Sequence, residues 1–206
     1  MNRIAALYWR HKLKKSPYRC LFETPSGNEF VSLDCETTSL DPNVADVISI
    51  AATKIIDNRI ITSQPFDIRL RAPESLDQHS IKVHHITHQE LANGASEQQA
   101  ILALLEFIGN RPLVGYHIRY DKKILDRICK KHVGFPLPNR LIEVSQIYHD
   151  QLLKQLPNGY FDLSLESICR HLQIPSYNKH DALEDSKTAA LIFVKLTRST
   201  LPPFQH

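Results

Sequence analysis

Nowhere in these 206 residues does an apolar run approach the roughly 20 residues that a membrane-spanning helix requires. That absence leads us to expect a soluble, cytoplasmic protein with no membrane contact. Cysteine is scarce and scattered: Cys20, Cys35, Cys129 and Cys169 form no CxxC pair, so neither a zinc ribbon nor a disulfide framework is expected. Reduced thiols are the simple reading. Repeats and low-complexity tracts are lacking too, and the chain reads as a succession of individual strands and helices. Acids are missing from the first 22 positions, which hold Arg3, Arg10, Lys12, Lys14, Lys15 and Arg19. Subtracting these six from the 25 basic residues leaves 19 against 22 acids, so the net charge of +3 conceals an acidic body behind a basic arm. The stretch "IAALYW" is too short for the apolar region of a secretory signal. A solvated basic arm or a short helix on the domain is the plain expectation, with an electrostatic contact to nucleic acid next.

What the chain does have is apolar material, 42% of its residues, enough for one sizeable core. A domain of this length removes about 70% of its unfolded surface from water. Three strand-like stretches come first: residues 29–36, "DVISIAATKII" and "RIITSQPFDIRL", the last two joined at Asp57-Asn58 by a hairpin-like turn. Helical periodicity follows in "SEQQAILALLEFIGN", with Ser96 as N-cap and Gly109 near its end. The short strand "PLVGY", a helix over 121–131, the strand-to-helix stretch "IEVSQIYHDQLLKQL", the capped helix "SLESICRHLQI" and a last helix "DALEDSKTAALIFVKL" complete the run. An antiparallel meander followed by strand and helix units predicts an α/β domain with a mixed β-sheet flanked by helices. The expected organisation is a basic arm at 1–28, a domain over 29–198 and a tail at 199–206.

The stretch "FVSLDCETTSL", residues 30–40, ends an apolar strand with two acids. Side chains two apart on a strand share a face, so Asp34 and Glu36 converge while Cys35 turns away with Leu33 and Val31. Two adjacent carboxylates at the end of a buried strand repel unless a proton or a cation lies between them. Alone, the pair is more simply an exposed strand end before a turn. Two later acids alter that balance. Asp121 shares its helical stripe with Ile124, Leu125 and Ile128, and Asp185 shares one with Ala182, Ala189, Ile192 and Leu196. A buried ionised acid costs several kcal/mol unless a partner or a metal compensates it; for either one singly, a helix-start or salt-bridged role is as good an account as a functional one. In "HDALED", Asp181 serves as N-cap with Glu184 three residues on, which starts the last helix at Ala182 and leaves His180 in the loop before it.

In order, these are DxE at a strand end, YD opening a helix and HxAxxD opening the last helix. The motifs "DCETTSL", "LVGYHIRYDKKIL" and "HDALEDSKTAALIF", with "VHHIT" between the first two, resemble the DEDDh group of DnaQ-like 3′-to-5′ exonucleases, within the ribonuclease H-like fold. The resemblance runs from about residue 29 to about residue 196. It implies that Asp34, Glu36, Asp121 and Asp185 hold two divalent ions, Mg²⁺ or Mn²⁺, and that His180 is the general base. Hard cations prefer oxygen ligands, and a pair of them stabilises the attacking and leaving oxygens of a phosphodiester displacement. Histidine suits proton removal near neutral pH. A tyrosine-class relative would carry tyrosine four residues before Asp185; Asp181 stands there instead. By the same resemblance Thr37, Thr38, Leu40 and His117 lie near the terminal nucleotide.

Departures from the family pattern leave every expected metal ligand in place. Ser39 and His85 stand where glycine is usual, His117 where asparagine is, and Glu143-Val144 replace the usual Asp-Thr. The favoured reading is an enzyme that trims 3′ ends of single-stranded DNA to nucleoside monophosphates. Alternatives are a proofreading subunit bound to a DNA polymerase, an exoribonuclease, and a nucleic-acid-binding module without catalysis. A homodimer follows by family analogy only.

Overall fold

The computed structural model describes residues 3–175, 181–198 and 201–202. In chain order they form α1 (Arg3–Lys12), a 3₁₀ turn (Pro17–Phe22), β1 (Glu29–Thr37), β2 (Val47–Ile56), β3 (Arg59–Arg69), α2 (Gln78–His84), α3 (His88–Leu91), α4 (Glu97–Ile108), β4 (Leu113–Gly115), α5 (Ile118–Val133), β5 (Leu141–Glu143), α6 (Val144–Gln155), α7 (Leu165–His171) and α8 (Ala182–Arg198). The strands join one mixed sheet in the order β3-β2-β1-β4-β5. β1, β2 and β3 form the expected antiparallel meander, and β4 and β5 run parallel to β1. Asp57 and Asn58 both take left-handed backbone, φ 50° and 62°, as a two-residue turn must to match the twist of its strands.

The central strand β1 decides what each face holds. Alternation sends Val31, Leu33 and Cys35 into a core with Leu104, Leu125 and Ile128 from α4 and α5. The other face is crossed by α8, which brings the small buried residues Ala182, Ser186, Ala189 and Ala190 with it. They allow close approach, so that the hydroxyls of Ser186 and Thr53 lie 3.3 Å apart, and the Phe30 and Phe193 rings pack at 4.8 Å. Tyr148, Leu152, Ile168 and Leu172 continue this second core beneath α6 and α7.

Between the two accounts of the N-terminal segment, the structure has the helix on the body. Leu21 and Phe22 are buried, and Trp9, Tyr18 and Phe22 surround the Phe135 ring at 6.2, 5.4 and 5.3 Å. Two short helices were not legible from periodicity. α2 and α3 are too short for a stripe and are started by reciprocal caps at Asp77 and Thr87. Helix α5 begins at Ile118, earlier than spacing indicates, because the Glu143 carboxylate accepts the amides of His117 and Ile118 at 3.1 Å each. No described helix is long and apolar enough to cross a membrane.

Candidate active site

The site forms where β1 ends. Pairing of Asp34 with Ala51 and of Glu36 with Ser49 keeps both acids in the ladder up to a bulge after Glu36, and strand alternation aims both at α8. Asp185 stands in the first turn of α8, above the Asp181 carboxylate, which caps the amides of Leu183 and Glu184 at 3.0 and 3.1 Å. Carboxylate oxygens of Asp34, Glu36 and Asp185 lie within 4.8 Å of one another. Asp121 arrives from α5, on the other face of the sheet, and is buried beside Cys35. Together these acids floor a cavity of about 780 Å³.

The electrostatics follow from that crowding. Burial, then the charges of Asp121, Glu36, Asp185 and Asp181, drive the Asp34 carboxyl well above its ordinary value. Glu36 is pushed up to about 7 by burial and by Asp185 and Asp181. Burial likewise raises Asp121 to about 7, against hydrogen bonding from its own backbone amide and from the Cys35 thiol and amide, which lowers it. The Cys35 thiol, buried and beside Asp121, is pushed well up and stays neutral. Carboxyls raised by burial and mutual repulsion, with oxygens of three of them within 4.8 Å of one another, fit a hard divalent cation. Asp34, Glu36 and Asp185 could thus hold a divalent metal ion, with Asp121 lining the same cavity.

The other expected residues divide. Leu40 and His117 line the cavity. Leu40 is 93% exposed, an apolar side chain held at the cavity mouth with nothing covering it. His117 has left-handed backbone, φ 57°, and so does His85, φ 58°. Few residues other than glycine and asparagine adopt that backbone without cost. Ser39 does not share it. Thr37 and Thr38 are not among the cavity-lining residues. The Thr37 hydroxyl lies 2.6 Å from that of Tyr120, and the Thr38 hydroxyl accepts the Asp46 amide at 3.1 Å, so both are engaged in shaping the loop that carries Leu40. His180 lies outside the described residues.

Several lining residues carried no signal in the sequence. Ser164, Leu165, Glu166, Cys169 and Arg170 form the far wall on α7, brought there because the Tyr116 hydroxyl donates to the Leu163 carbonyl at 3.1 Å. The Tyr116 and His117 rings meet along the side at a 60° tilt, their centroids 4.1 Å apart. Tyr120, Thr37 and the Ser39 carbonyl form one hydrogen-bonded knot, and Arg127 holds the same loop by donating to the carbonyls of Pro42, Asn43 and Ala45. Both clamps come from α5, the helix that carries Asp121. The tyrosine before Asp121 was the available clue.

A five-stranded mixed sheet of this order, with acids gathered from β1, α5 and α8, is a ribonuclease H-like α/β architecture. Comparison with known proteins agrees. Residues 31–193 match the exonuclease family RNase_T, and the chain belongs to that DnaQ-like family. It is 29% identical over 166 residues to a DNA polymerase III PolC-type of Thermotoga petrophila, covering 81% of this chain and 12% of that protein. Identity to the DNA polymerase III subunit epsilon of Aquifex aeolicus is 25% over 167 residues, covering 81% of this chain and 79% of that one. Exonuclease I from E. coli in complex with a dT13 oligonucleotide shares the fold with a TM-score of 0.70 at 18% identity, over 84% of this chain and 41% of that chain. This chain thus spans a small part of the polymerases and under half of exonuclease I.

Proposed function

We propose that the protein removes nucleoside monophosphates from the 3′ end of single-stranded DNA. The observation that carries this reading is the meeting of four carboxylates on the floor of one cavity whose mouth presents an exposed leucine. The acids suit a phosphodiester under attack, and Leu40 suits the face of a terminal base. Asp34, Glu36, Asp121 and Asp185 would hold two divalent ions, which would supply activation of water and neutralisation of the departing oxyanion. His180, in the segment before Asp181, accepts the proton of the attacking water, a role to which an imidazole is suited. Tyr120 and Arg127 keep the Leu40 loop in place, and Glu143 holds the start of α5 so that Asp121 and His117 stay in register. The basic N-terminal segment adds electrostatic attraction for the strand.

The similarity to an epsilon subunit over most of its length favours a second reading, in which the same hydrolysis serves as proofreading in a complex with a DNA polymerase. One experiment tests the chemistry common to both. Matched 3′-labelled and 5′-labelled single-stranded DNA and RNA oligomers are incubated with Mn²⁺, Mg²⁺ or EDTA, with Asp34→Ala in parallel. Metal-dependent release of mononucleotides from the 3′ end of DNA, lost in the variant, is expected. Binding without hydrolysis in any metal would reject an autonomous enzyme, and faster loss of RNA would reassign the substrate.

A further inference from the structure

A second hollow, of about 420 Å³, lies on α5 and the start of β5, lined by Arg119, Lys122, Lys123, Asp126, Arg140 and Leu141. At 100° per residue, Arg119, Lys123 and Asp126 fall on the side of α5 opposite Asp121, so the hollow is separate from the catalytic cavity. Asp126 is committed within it, bonded to Lys122 at 2.6 Å and to the Leu137 amide at 2.8 Å. Arg119, Lys123 and Arg140 are exposed and make no ion pair among the described residues. Three cations thus face one concave surface of a body that, outside its first 22 residues, is net acidic. Like charges brought together in this way repel one another and attract an anion.

The hollow and the catalytic cavity are lined from the same helix, α5. Arg119 is bracketed in sequence by His117 and Tyr120, which line the cavity. The Asp41 carboxyl, lowered chiefly by the Asn43 amide, is lowered further by Lys123, so Lys123 borders the loop that carries Leu40. A strand with its end beneath Leu40 that crosses the first turns of α5 meets these cations next. Two guanidinium groups match phosphate oxygens in a fork, and the lysine adds a point charge.

We propose that the Arg119–Lys123–Arg140 hollow is a phosphate track, taking the backbone of the single strand beyond the nucleotides held in the catalytic cavity. This rests on the nuclease reading above and adds to it a subsite outside the cavity, selective for chain length and indifferent to base. The test is the triple variant R119Q/K123Q/R140Q together with its three single variants. Binding of a 20-nucleotide oligomer is measured in EDTA, where hydrolysis is halted, from 50 to 200 mM salt, and hydrolysis of that oligomer is compared with hydrolysis of a trinucleotide. Each phosphate contact on a single strand adds about 0.7 to the salt slope. The triple variant should therefore flatten the slope by about 2, which is about a 20-fold smaller loss of affinity across that range, and each single variant by about 0.7. Its KM for the 20-mer should rise while its rate on the trinucleotide holds. An unchanged slope, or equal losses on both lengths, would overturn the track while the parent protein still degrades DNA. A parent that neither binds nor degrades any oligomer would overturn the nuclease reading as well.

Discussion

Replacing Glu36 by glutamine should stabilise the metal-free protein while removing its hydrolytic activity. The carboxyl is buried beside Asp185 and Asp181, which pushes it from an ordinary 4.5 up to about 7. A raised carboxylate favours folding in its neutral form. Its contribution is fully present below about pH 4.5 and is lost as pH rises through about 7. The gap of about 2.5 pH units corresponds to about 3 kcal/mol at 1.36 kcal/mol per unit. Glutamine has nearly the same shape and never ionises, so at pH 8 in EDTA it escapes that cost. For a chain of this size 1 kcal/mol moves Tm by roughly 2–4 °C, which gives an expected gain of about 6–12 °C. The assay is thermal unfolding followed by circular dichroism at pH 5 and pH 8, with EDTA or with Mn²⁺. Most of the difference should close at pH 5, and Mn²⁺ should raise the parent far more than the variant. A variant melting at or below the parent in EDTA at pH 8 would refute the reasoning, because it would mean that the acids are compensated within the protein.

Three further outcomes follow from the same geometry. His180→Ala should lower kcat by about 10²–10⁴-fold while calorimetry still detects divalent-ion binding; unchanged kcat would remove the histidine from the reaction. Leu40→Ala should leave Tm unmoved, since the side chain is 93% exposed, yet raise KM about 5- to 30-fold if burying the leucine against a base contributes about 1–2 kcal/mol. Kinetics paired with melting separates the two effects. Arg127→Lys loses the planar fork that reaches the carbonyls of Pro42, Asn43 and Ala45, and should cost about 1–3 kcal/mol in urea unfolding. It should also raise KM, because the Leu40 loop loses one of its two anchors on α5.

Much of the local structure was legible because it depends on neighbours in sequence. The Asp57-Asn58 turn, the caps at Ser96, Ser164 and Asp181, and the alternation that pairs Asp34 with Glu36 each involve residues a few positions apart. The acids at Asp121 and Asp185 could be found because each interrupts an apolar helical stripe. Thr37 and Thr38 could not be read in the same way, since their hydroxyls are engaged by Tyr120 and Asp46 from other segments. Nor could the start of α5, which is held by Glu143 from across the β4–β5 pair.

The amino-acid sequence by itself determined the strands and the longer helices and which side chains stand at odds with their surroundings, because caps, turns and periodicity act over a few residues. Only the tertiary structure decided where the discordant acids meet, that α7 walls the cavity beside them, and that Arg119, Lys123 and Arg140 share a second hollow. Those facts depend on the order in which strands pair and helices cover the sheet. That order is set by burial of two apolar faces around β1, which draws together residues more than a hundred positions apart.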